Sequence, residues 1–141
     1  PGQVKPNTMT DQIGHIIDVL PTCLEVAEGK HPAEIHGQAT QPLEGQSLLP
    51  VLRGGTRPLA EQLCWEWAGN CAIRRGNWKL VWDTLNKDKK WELYNIVADR
   101  TELHDAASQQ PQVVAELSAA YTTWAKKLGR RLPGEKGKSD E

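Results

Sequence analysis

The candidate nucleophiles and metal ligands of this chain are three cysteines and four histidines, and their spacing does not suit a site. Cys64 and Cys71 are separated by six residues, which is not a zinc-ligand spacing. The third cysteine is Cys23, and an odd number of cysteines cannot complete a disulfide framework. The histidines stand apart from the cysteines, at positions 15, 31, 36 and 104. These residues favour buried, inert thiols over a structural metal site.

The motifs of hydrolytic catalysis are also missing from the sequence. Nucleophilic hydrolysis needs a nucleophile, a base and an oxyanion or metal partner. The chain contains no G-x-S-x-G elbow, no phosphate-binding glycine loop and no H-E-x-x-H pair. Glu61 and Glu66 are close in sequence, but nothing marks them as a catalytic pair. The residues by themselves therefore predict a non-catalytic α+β domain.

Composition limits both the size and the partners of the domain. The 141 residues are enough for one domain, and 38% of them are hydrophobic with no phenylalanine, so tryptophan must supply much of a modest core. The formal net charge of −1 provides no field that attracts nucleic acid, and we predict no nucleic-acid partner. No apolar run approaches the ~20 residues that span a bilayer. Because the chain opens Pro-Gly-Gln-Val and has its single methionine at Met9, we expect a fragment of a longer protein.

The stretch 63–96 carries the strongest structural pattern and five of the six tryptophans. Apolar and polar residues alternate there with a period of two, and Gly-Asn pairs interrupt the alternation at 69–70 and 76–77. This pattern is typical of antiparallel strands joined by tight turns. It predicts strands at about 62–68, 71–75, 78–83 and 91–96.

Two-residue turns at both Gly-Asn pairs would fix the register and the two faces of the sheet. Trp65 would face Arg74, Trp67 would face Ala72, Ile73 would face Leu80, and Cys71 would face Trp82. One face would then be apolar, with Ile73, Trp78, Leu80 and Trp82 beside Cys64 and Glu66. The other face would mix aromatic and cationic groups: Trp65, Trp67, Arg74, Lys79 and Val81. Cys64 would lie opposite Arg75, too far from Cys71 for a disulfide.

Helices are predicted on both sides of this sheet. Asp18 is a good N-cap for a short amphipathic helix that ends near Gly29. The segment 30–62 is mostly irregular, with one helical turn near 46–52, and we expect it to wrap a larger body. Ser108 would cap a helix of about 17 residues whose apolar stripe, from Val113 to Leu128, would cover the apolar face of the sheet. The tail from Gly129 is predicted to be disordered.

Four blocks of the sequence, in this order and spacing, resemble the part of arylsulfatases that follows the catalytic centre. The first two are Asp18-x-x-Pro21-Thr22-x-Leu24 and Leu43-x-Gly45-x-Ser47-Leu48-Leu49-Pro50-Val51-Leu52. The third is Trp65-Glu66-x-x-Gly69-Asn70-x-Ala72-Ile73-Arg74-x-Gly76-x-Trp78-Lys79-Leu80, and the fourth is Glu92-Leu93-Tyr94-Asn95-x-x-x-Asp99-Arg100-x-Glu102-Leu103. The resemblance covers residues 1–128 and extends to the alkaline-phosphatase-like superfamily. It implies an α+β fold, with a four-stranded antiparallel sheet packed by a C-terminal helix.

The resemblance also implies a division of the chain. Residues 1–60 would be the end of the large sulfatase α/β domain, with its short helix, and a wrapping loop. Residues 61–128 would be the sheet-plus-helix subdomain, followed by the disordered tail 129–141. The missing partner would be the N-terminal catalytic domain, and the parent protein is expected to be periplasmic or secreted.

The chemistry of sulfatases would lie outside this chain. The family uses a formylglycine made from a C-x-P-x-R or S-x-P-x-R motif, and a calcium ion held by acidic residues and an asparagine. None of the three cysteines, nor Ser47, is followed by that pattern. The resemblance therefore implies a parent sulfuric ester hydrolase with calcium as cofactor, whose nucleophile and calcium ligands precede Pro1. The fragment alone is predicted to be inactive and without calcium.

The mixed face of the sheet is the candidate functional surface, comprising Trp65, Trp67, Asn70, Arg74 and Lys79. It could form the rim of the pocket for a sulfated small molecule or glycan, or an interdomain face closed by a salt bridge. Many relatives have histidine where Trp67 stands, which would shift a rim toward flat apolar or sugar-ring contacts. Two other functions stay open, a non-enzymatic carbohydrate-binding module and a sulfatase-like phosphoesterase without the sulfatase nucleophile. The upstream sequence of the parent would separate them.

Overall fold

The computed structural model describes residues 4, 6–58, 60–130 and 132–135, which fall into two units on either side of the Ala60–Glu61 bond. The elements are, in chain order, helix α1 (Val19–Val26), strands β1 (Glu34–Ile35) and β2 (Gln38–Ala39), helix α2 (Leu49–Leu52), strands β3 (Leu63–Trp67), β4 (Asn70–Arg75), β5 (Trp78–Trp82) and β6 (Trp91–Asn95), and helix α3 (Pro111–Lys127). The fold is α+β, as predicted. No helix in the described part of the chain has the length and apolar character needed to cross a membrane.

Helix α1 follows a 3-10 turn at Ile16–Asp18 and begins with Pro21 in its first turn, where the missing N–H is harmless. It ends at Val26, three residues before the predicted Gly29. Glu28 takes the left-handed conformation with φ 52°, and the Gly29 N–H donates to the Leu24 carbonyl at 2.8 Å. This is a Schellman ending with glutamate in the place where glycine is preferred. No side chain of α1 is buried in this chain.

Asp18 does not cap α1, contrary to the prediction. Its carboxylate is buried and accepts hydrogen bonds from the His15 N–H at 2.8 Å and the Gln46 N–H at 2.9 Å. Arg57 donates to the same carboxylate at 2.6 Å, and the two side chains retain only 8% and 6% exposure. The long-range ion pair wins over local capping because a buried carboxylate needs an opposite charge.

The same contacts tie three distant segments of the first unit together. Arg57 also donates to the Ile13 carbonyl at 2.8 Å and to the carbonyl of Gln46. Gly45 lies so close to this junction that a Cβ atom would stand 2.1 Å from the Ile17 carbonyl oxygen. We call this arrangement the Asp18–Arg57 clamp. It joins Gln46 and Arg57 to the segment 13–18.

Strands β3 to β6 form one antiparallel sheet in the order β3-β4-β5-β6. Their bounds agree with the predicted strands to within one residue at every end. The pairings of Ile73 with Leu80 and of Cys71 with Trp82 are those expected. One face is buried under α3 and the other, which we call the outer face, carries Trp65, Trp67, Arg74 and Lys79. The assignment of side chains to the two faces is therefore confirmed.

The register between β3 and β4 differs from the prediction by two residues. Trp65 pairs with Ala72 and Trp67 pairs with Asn70, because the turn residues are Ala68 and Gly69 rather than Gly69 and Asn70. Both turn residues have positive φ, 50° and 83°, as a type I′ turn requires. The side-chain oxygen of Asn70 accepts hydrogen bonds from the N–H and the hydroxyl of Thr84, at 2.8 and 2.9 Å. Asn70 is thereby held in the strand.

The corrected register changes the reason given for the unbridged cysteines. Cys64 lies opposite Ile73, not Arg75, so it is two residues from the position facing Cys71. All three cysteines are free thiols, but the prediction that they are buried holds only for Cys71, because Cys64 is partly buried and Cys23 is exposed. A shift of two residues leaves the alternation intact, which is why the faces of the sheet are unaffected.

Helix α3 covers the inner face of the sheet and completes the core, as predicted. It begins at Pro111 with Gln110, not Ser108, at the N-cap position. The buried cluster consists of Cys71, Ile73, Leu80, Leu93, Leu117, Tyr121 and Ala125. Val114 and Trp124 of the helix and Trp78, Trp82 and Trp91 of the sheet pack around it. The aromatic rings supply much of the apolar contact, in place of phenylalanine.

The predicted disordered tail, 129–141, lies partly outside the described residues. Residues 129–130 and 132–135 are described, and residues 131 and 136–141 are not. Leu132 packs against the core, and its N–H donates to the Glu135 carboxylate at 2.9 Å. This part of the tail therefore contributes contacts to the second unit.

Candidate functional site

The outer face of the sheet holds an open groove of about 620 Å³. Ala72, in the middle of β4, forms its floor, and a small side chain there leaves room above the sheet. The lining residues are Trp65, Ala72, Arg74, Lys79, Ile96, Arg100 and Glu102. This volume lies in the range of about 300–1,000 Å³ found for small-molecule sites. We call it the outer-face groove.

Arg74 is the central cation of the groove. Its side chain is partly buried, and its Nε donates to the Gly76 carbonyl at 3.3 Å. Within the described part of the chain, no carboxylate forms an ion pair with it. Burial and the nearby charge of Arg100 lower the pKa of the Arg74 guanidinium, which still remains protonated because that pKa starts so high. Arg74 therefore contributes a positive charge to the lining of the groove.

Lys79 and Glu102 form the second charged pair of the groove. The Lys79 Nζ lies 2.6 Å from Glu102 Oε1, and both side chains are about seven-tenths buried, with exposures of 28% and 30%. Glu102 has φ 56°, a left-handed conformation that is rare for a residue with a side chain. Such a conformation persists only where the surroundings enforce it.

Asp99 shapes the loop that carries Arg100 and Glu102 over the sheet. Its carboxylate accepts hydrogen bonds from the N–H groups of Leu103 at 2.9 Å and His104 at 2.8 Å. The His104 hydrogen bond is the main cause that lowers the pKa of Asp99. Since the ionised form is the better acceptor, the loop keeps its shape at neutral pH.

The structure brings together three of the five predicted site residues. Trp65, Arg74 and Lys79 line the outer-face groove. Trp67 stands at the β3–β4 turn, where the residue is 78% exposed, and it does not line the groove. Asn70 holds Thr84, so its observed role is structural.

The sequence reasoning missed the contribution of the loop after β6. Ile96, Arg100 and Glu102 line the groove beside the β4 and β5 residues. In the sequence, Arg100 and Glu102 belong to the block that begins at Glu92, whose resemblance to arylsulfatases does not by itself assign them to a site. Their folding over the outer face depends on backbone hydrogen bonds, including one from the Asp99 N–H to the Asn95 carbonyl at 2.7 Å.

Two other ionisable groups of the second unit, Tyr94 and Asp105, have structural partners. The Tyr94 hydroxyl donates to Glu92 at 2.9 Å, and burial is the main cause that raises its pKa above the usual range. Asp105 accepts from the N–H groups of Leu93 and Ala107, at 3.0 and 2.8 Å. Across residues 4, 6–58, 60–130 and 132–135, no three or more His, Cys, Asp or Glu residues are grouped as a metal site would need.

The fold and the order of the sequence blocks define the C-terminal region of a sulfatase. The family described as N-sulphoglucosamine sulphohydrolase, C-terminal, matches residues 1–127, and the chain belongs to it. An uncharacterized sulfatase of Schizosaccharomyces pombe is 30% identical over 134 residues, which cover 92% of this chain and 24% of that protein. The ulvan-active sulfatase of Formosa agariphila is 39% identical over 54 residues, covering 38% of this chain and 9% of that one. The chain spans about a quarter or less of these relatives.

Solved structures share the fold. A protein from Bacteroides thetaiotaomicron, studied for the metabolism of multiple glycosaminoglycans, has a TM-score of 0.65 and 24% identity, over 89% of this chain and 28% of its own. Another structure, in complex with its substrate D-glucosamine-2-N,6-O-disulfate, has a TM-score of 0.63 and 22% identity. That match covers 97% of this chain and 29% of the other.

Proposed function

We propose that this chain is the C-terminal part of a sulfatase, of the arylsulfatase type, that hydrolyses sulfate esters. The observation that carries the proposal is the family match over residues 1–127. Relatives named as sulfatases in Schizosaccharomyces pombe and Formosa agariphila support it. Among the relatives, one is named for ulvan and one is bound to a sulfated glucosamine, so we propose a sulfated saccharide as the substrate class.

The described residues do not fit the calcium site of such an enzyme. A calcium ion takes six to eight oxygen ligands, mainly from carboxylates and carbonyls. Among the described residues, no three or more Asp, Glu, His or Cys side chains lie close enough together to hold a metal ion. The nucleophile and the metal ligands would therefore come from the rest of the parent protein. The role we propose for this chain is to complete the fold and the rim of the substrate pocket, with the outer face of its sheet turned toward the catalytic domain.

The proposal is tested by comparing the full-length parent with this chain. We expect the parent to contain C-x-P-x-R or S-x-P-x-R upstream and to release sulfate from an aryl sulfate. We expect the 141-residue chain alone to release none and to bind no stoichiometric calcium in a calorimetric titration. Chelator-sensitive hydrolysis by the chain alone would contradict the placement of the nucleophile and metal ligands outside this chain. An inactive parent without the motif would contradict the proposal that the parent is a sulfatase.

The role of the outer face is tested in the parent with Arg74→Ala and Trp67→Ala. A rim predicts a raised KM with an unchanged melting temperature, since only substrate contacts are lost. An interdomain face predicts a lower melting temperature or lower expression. Wild-type kinetics and melting for both variants would show that this face has neither role.

A further inference from the structure

The end of helix α3 and the residues that follow it carry a concentrated positive charge. The stretch 126–138 holds six of the 17 basic residues of the chain and one of its 18 acidic residues. It therefore has a formal charge of +5, whereas the rest of the chain has −6. The net charge of −1 conceals this separation, which is typical of a segment that binds a polyanion.

Three of these cations lie on the described surface at the C-terminal end of α3. Lys126 and Lys127 occupy the last turn of the helix, Arg130 follows it, and all three residues are exposed. The Arg130 backbone is fixed to the helix, because its N–H donates to the Ala125 carbonyl at 2.7 Å. We call Lys126, Lys127 and Arg130 the α3 basic cluster.

The protein does not neutralise the α3 basic cluster. Among residues 4, 6–58, 60–130 and 132–135, no carboxylate forms an ion pair with any of its three cations. The Glu135 carboxylate accepts from the Leu132 N–H instead. The helix macrodipole accounts for lysines in the last turn. It does not account for the further basic residues that the sequence places after the helix, so the cluster is suited to an external anion.

The surroundings of the cluster favour an acidic polysaccharide over a nucleic acid or a membrane. Sites for single-stranded nucleic acid combine cations with aromatic side chains that stack on bases, and residues 126–130 include no aromatic residue. Helices that bind a membrane surface bury an apolar face in lipid, whereas the apolar face of α3 is buried against the sheet. Cations by themselves can hold the sulfate or carboxylate groups of a polysaccharide, through charge-assisted hydrogen bonds.

We infer that the α3 basic cluster binds a linear acidic polysaccharide and anchors the parent protein to it, without taking part in hydrolysis. Binding of a polyanion rests on the charges described above, and the choice of a polysaccharide rests also on the proposed function. The negative charge of the rest of the chain repels such a polymer, so the polymer approaches at this end. Because α3 packs on the inner face of the sheet, the cluster is separate from the outer-face groove.

The test is a calorimetric titration of the 141-residue chain with dextran sulfate, with neutral dextran as the uncharged probe. We expect saturable binding of dextran sulfate and no binding of dextran. Affinity should fall as salt rises, because binding releases counterions. With the slopes that apply to nucleic acids, three engaged cations correspond to a loss of roughly 20- to 40-fold between about 50 and 200 mM salt. No binding of dextran sulfate at low salt, or binding that salt does not weaken, would overturn the inference.

Variants of the cluster locate the site. Lys126→Gln/Lys127→Gln/Arg130→Gln is expected to weaken binding of dextran sulfate at least about tenfold at low salt. Lys126→Arg/Lys127→Arg/Arg130→Lys keeps every charge and is expected to bind within about a factor of two of the wild type. Circular dichroism shows whether both variants are folded. Wild-type affinity in the glutamine variant would overturn the inference.

The matched control is Lys30→Gln/Arg53→Gln/Lys87→Gln, which also removes two lysines and one arginine from exposed positions. It is expected to bind dextran sulfate within about a factor of two of the wild type, because these cations lie outside the cluster. If the control loses as much affinity as the glutamine variant of the cluster, attraction follows net charge alone and the inference is wrong.

Two other polyanions test the class of partner. Duplex DNA and vesicles of phosphatidylglycerol and phosphatidylcholine are titrated at the same concentration of negative charge as dextran sulfate. We expect both to bind more weakly, since the cluster offers neither stacking nor apolar insertion. Tighter binding of DNA would identify a nucleic acid as the partner, tighter binding of vesicles would identify a membrane, and either result overturns the choice of a polysaccharide.

The full-length parent separates this inference from the proposed function. There the glutamine variant of the cluster is expected to raise the KM for a sulfated polysaccharide and to leave hydrolysis of a small aryl sulfate unchanged, because only anchoring is lost. An unchanged KM for the polysaccharide would overturn the anchoring role. A parent that hydrolyses neither substrate, but binds dextran sulfate through the cluster, would contradict the proposed function and leave this inference standing.

Discussion

Removing Trp124 is the sharpest test of how α3 holds the sheet. Its ring lies 5.6 Å from the ring of Tyr121, which is fully buried. Burying a tryptophan removes roughly 150–250 Å² from water, and at about 25 cal/mol per Å² this is worth ~4–6 kcal/mol. Because Trp124 is only partly buried and alanine keeps some contact, we expect Trp124→Ala to lower the free energy of unfolding by about 3 kcal/mol.

The assay is urea denaturation of the 141-residue chain, followed by far-ultraviolet circular dichroism because fluorescence changes with the lost indole. Trp67→Ala is the matched control, since it deletes the same side chain at a position that is 78% exposed. We expect the control to change stability by less than about 0.5 kcal/mol. For a domain of 60–100 residues, each kcal/mol corresponds to roughly 4–8 °C in melting temperature. Equal losses for the two variants, or a loss under about 1 kcal/mol for Trp124→Ala, would refute the packing described for α3.

Two further predictions concern the first unit and the thiols. Asp18→Asn is expected to cost about 3–5 kcal/mol by leaving Arg57 buried without its counter-charge, measured as lost hydrogen-exchange protection at the Gln46 N–H. Burial alone would raise the pKa of Asp18, but the hydrogen bonds from Arg57, Gln46 and His15 lower it below its usual value. The ionised carboxylate therefore contributes fully to the free energy of unfolding above the unfolded pKa of about 3.9, and this contribution is lost as the pH falls below that value. Unchanged Gln46 protection in the variant, or protection in the wild type that does not weaken in acid, would refute the clamp. Alkylation followed by peptide mass spectrometry should label exposed Cys23 first and Cys71 last, since burial raises the pKa of the Cys71 thiol, and fast labelling of Cys71 in the folded chain would contradict the core.

Local periodicity was sufficient to predict the sheet and its cover. The alternation of apolar and polar residues with period two predicts β3 to β6, and apolar residues spaced by three and four positions predict α3. Both patterns are present because the sheet and the helix each bury one face against the other. The β3–β4 turn was misplaced because Gly69-Asn70 is a favoured turn pair, whereas the chain uses Ala68 in a left-handed conformation. The observed turn leaves Asn70 in β4, where its side chain accepts a hydrogen bond from the Thr84 N–H. This contact joins residues 14 positions apart, so the sequence around the turn does not indicate it.

The candidate site was only partly predictable for the same reason. Trp65, Arg74 and Lys79 fall on one face by alternation alone, so the sequence places them together. Glu102 lines the groove from the loop after β6, which folds back over the sheet. A loop has no periodic pattern of apolar and polar residues, so the sequence does not predict this position. The local sequence likewise predicts that Asp18 caps α1. Its actual partner, Arg57, lies 39 residues further along the chain, where local patterns give no indication of the contact.

The aromatic side chains of the second unit form a continuous series of contacts from the sheet into the helix. Trp82 meets Trp91 with ring centroids 5.7 Å apart and planes at 72°, and Trp91 meets Tyr121 at 5.7 Å and 69°. Fixed, chiral arrangements of rings give near-ultraviolet circular dichroism, which vanishes when tertiary packing loosens while helices and strands persist. The unit therefore carries its own optical reporter of whether α3 is docked, independent of the far-ultraviolet signal of its secondary structure.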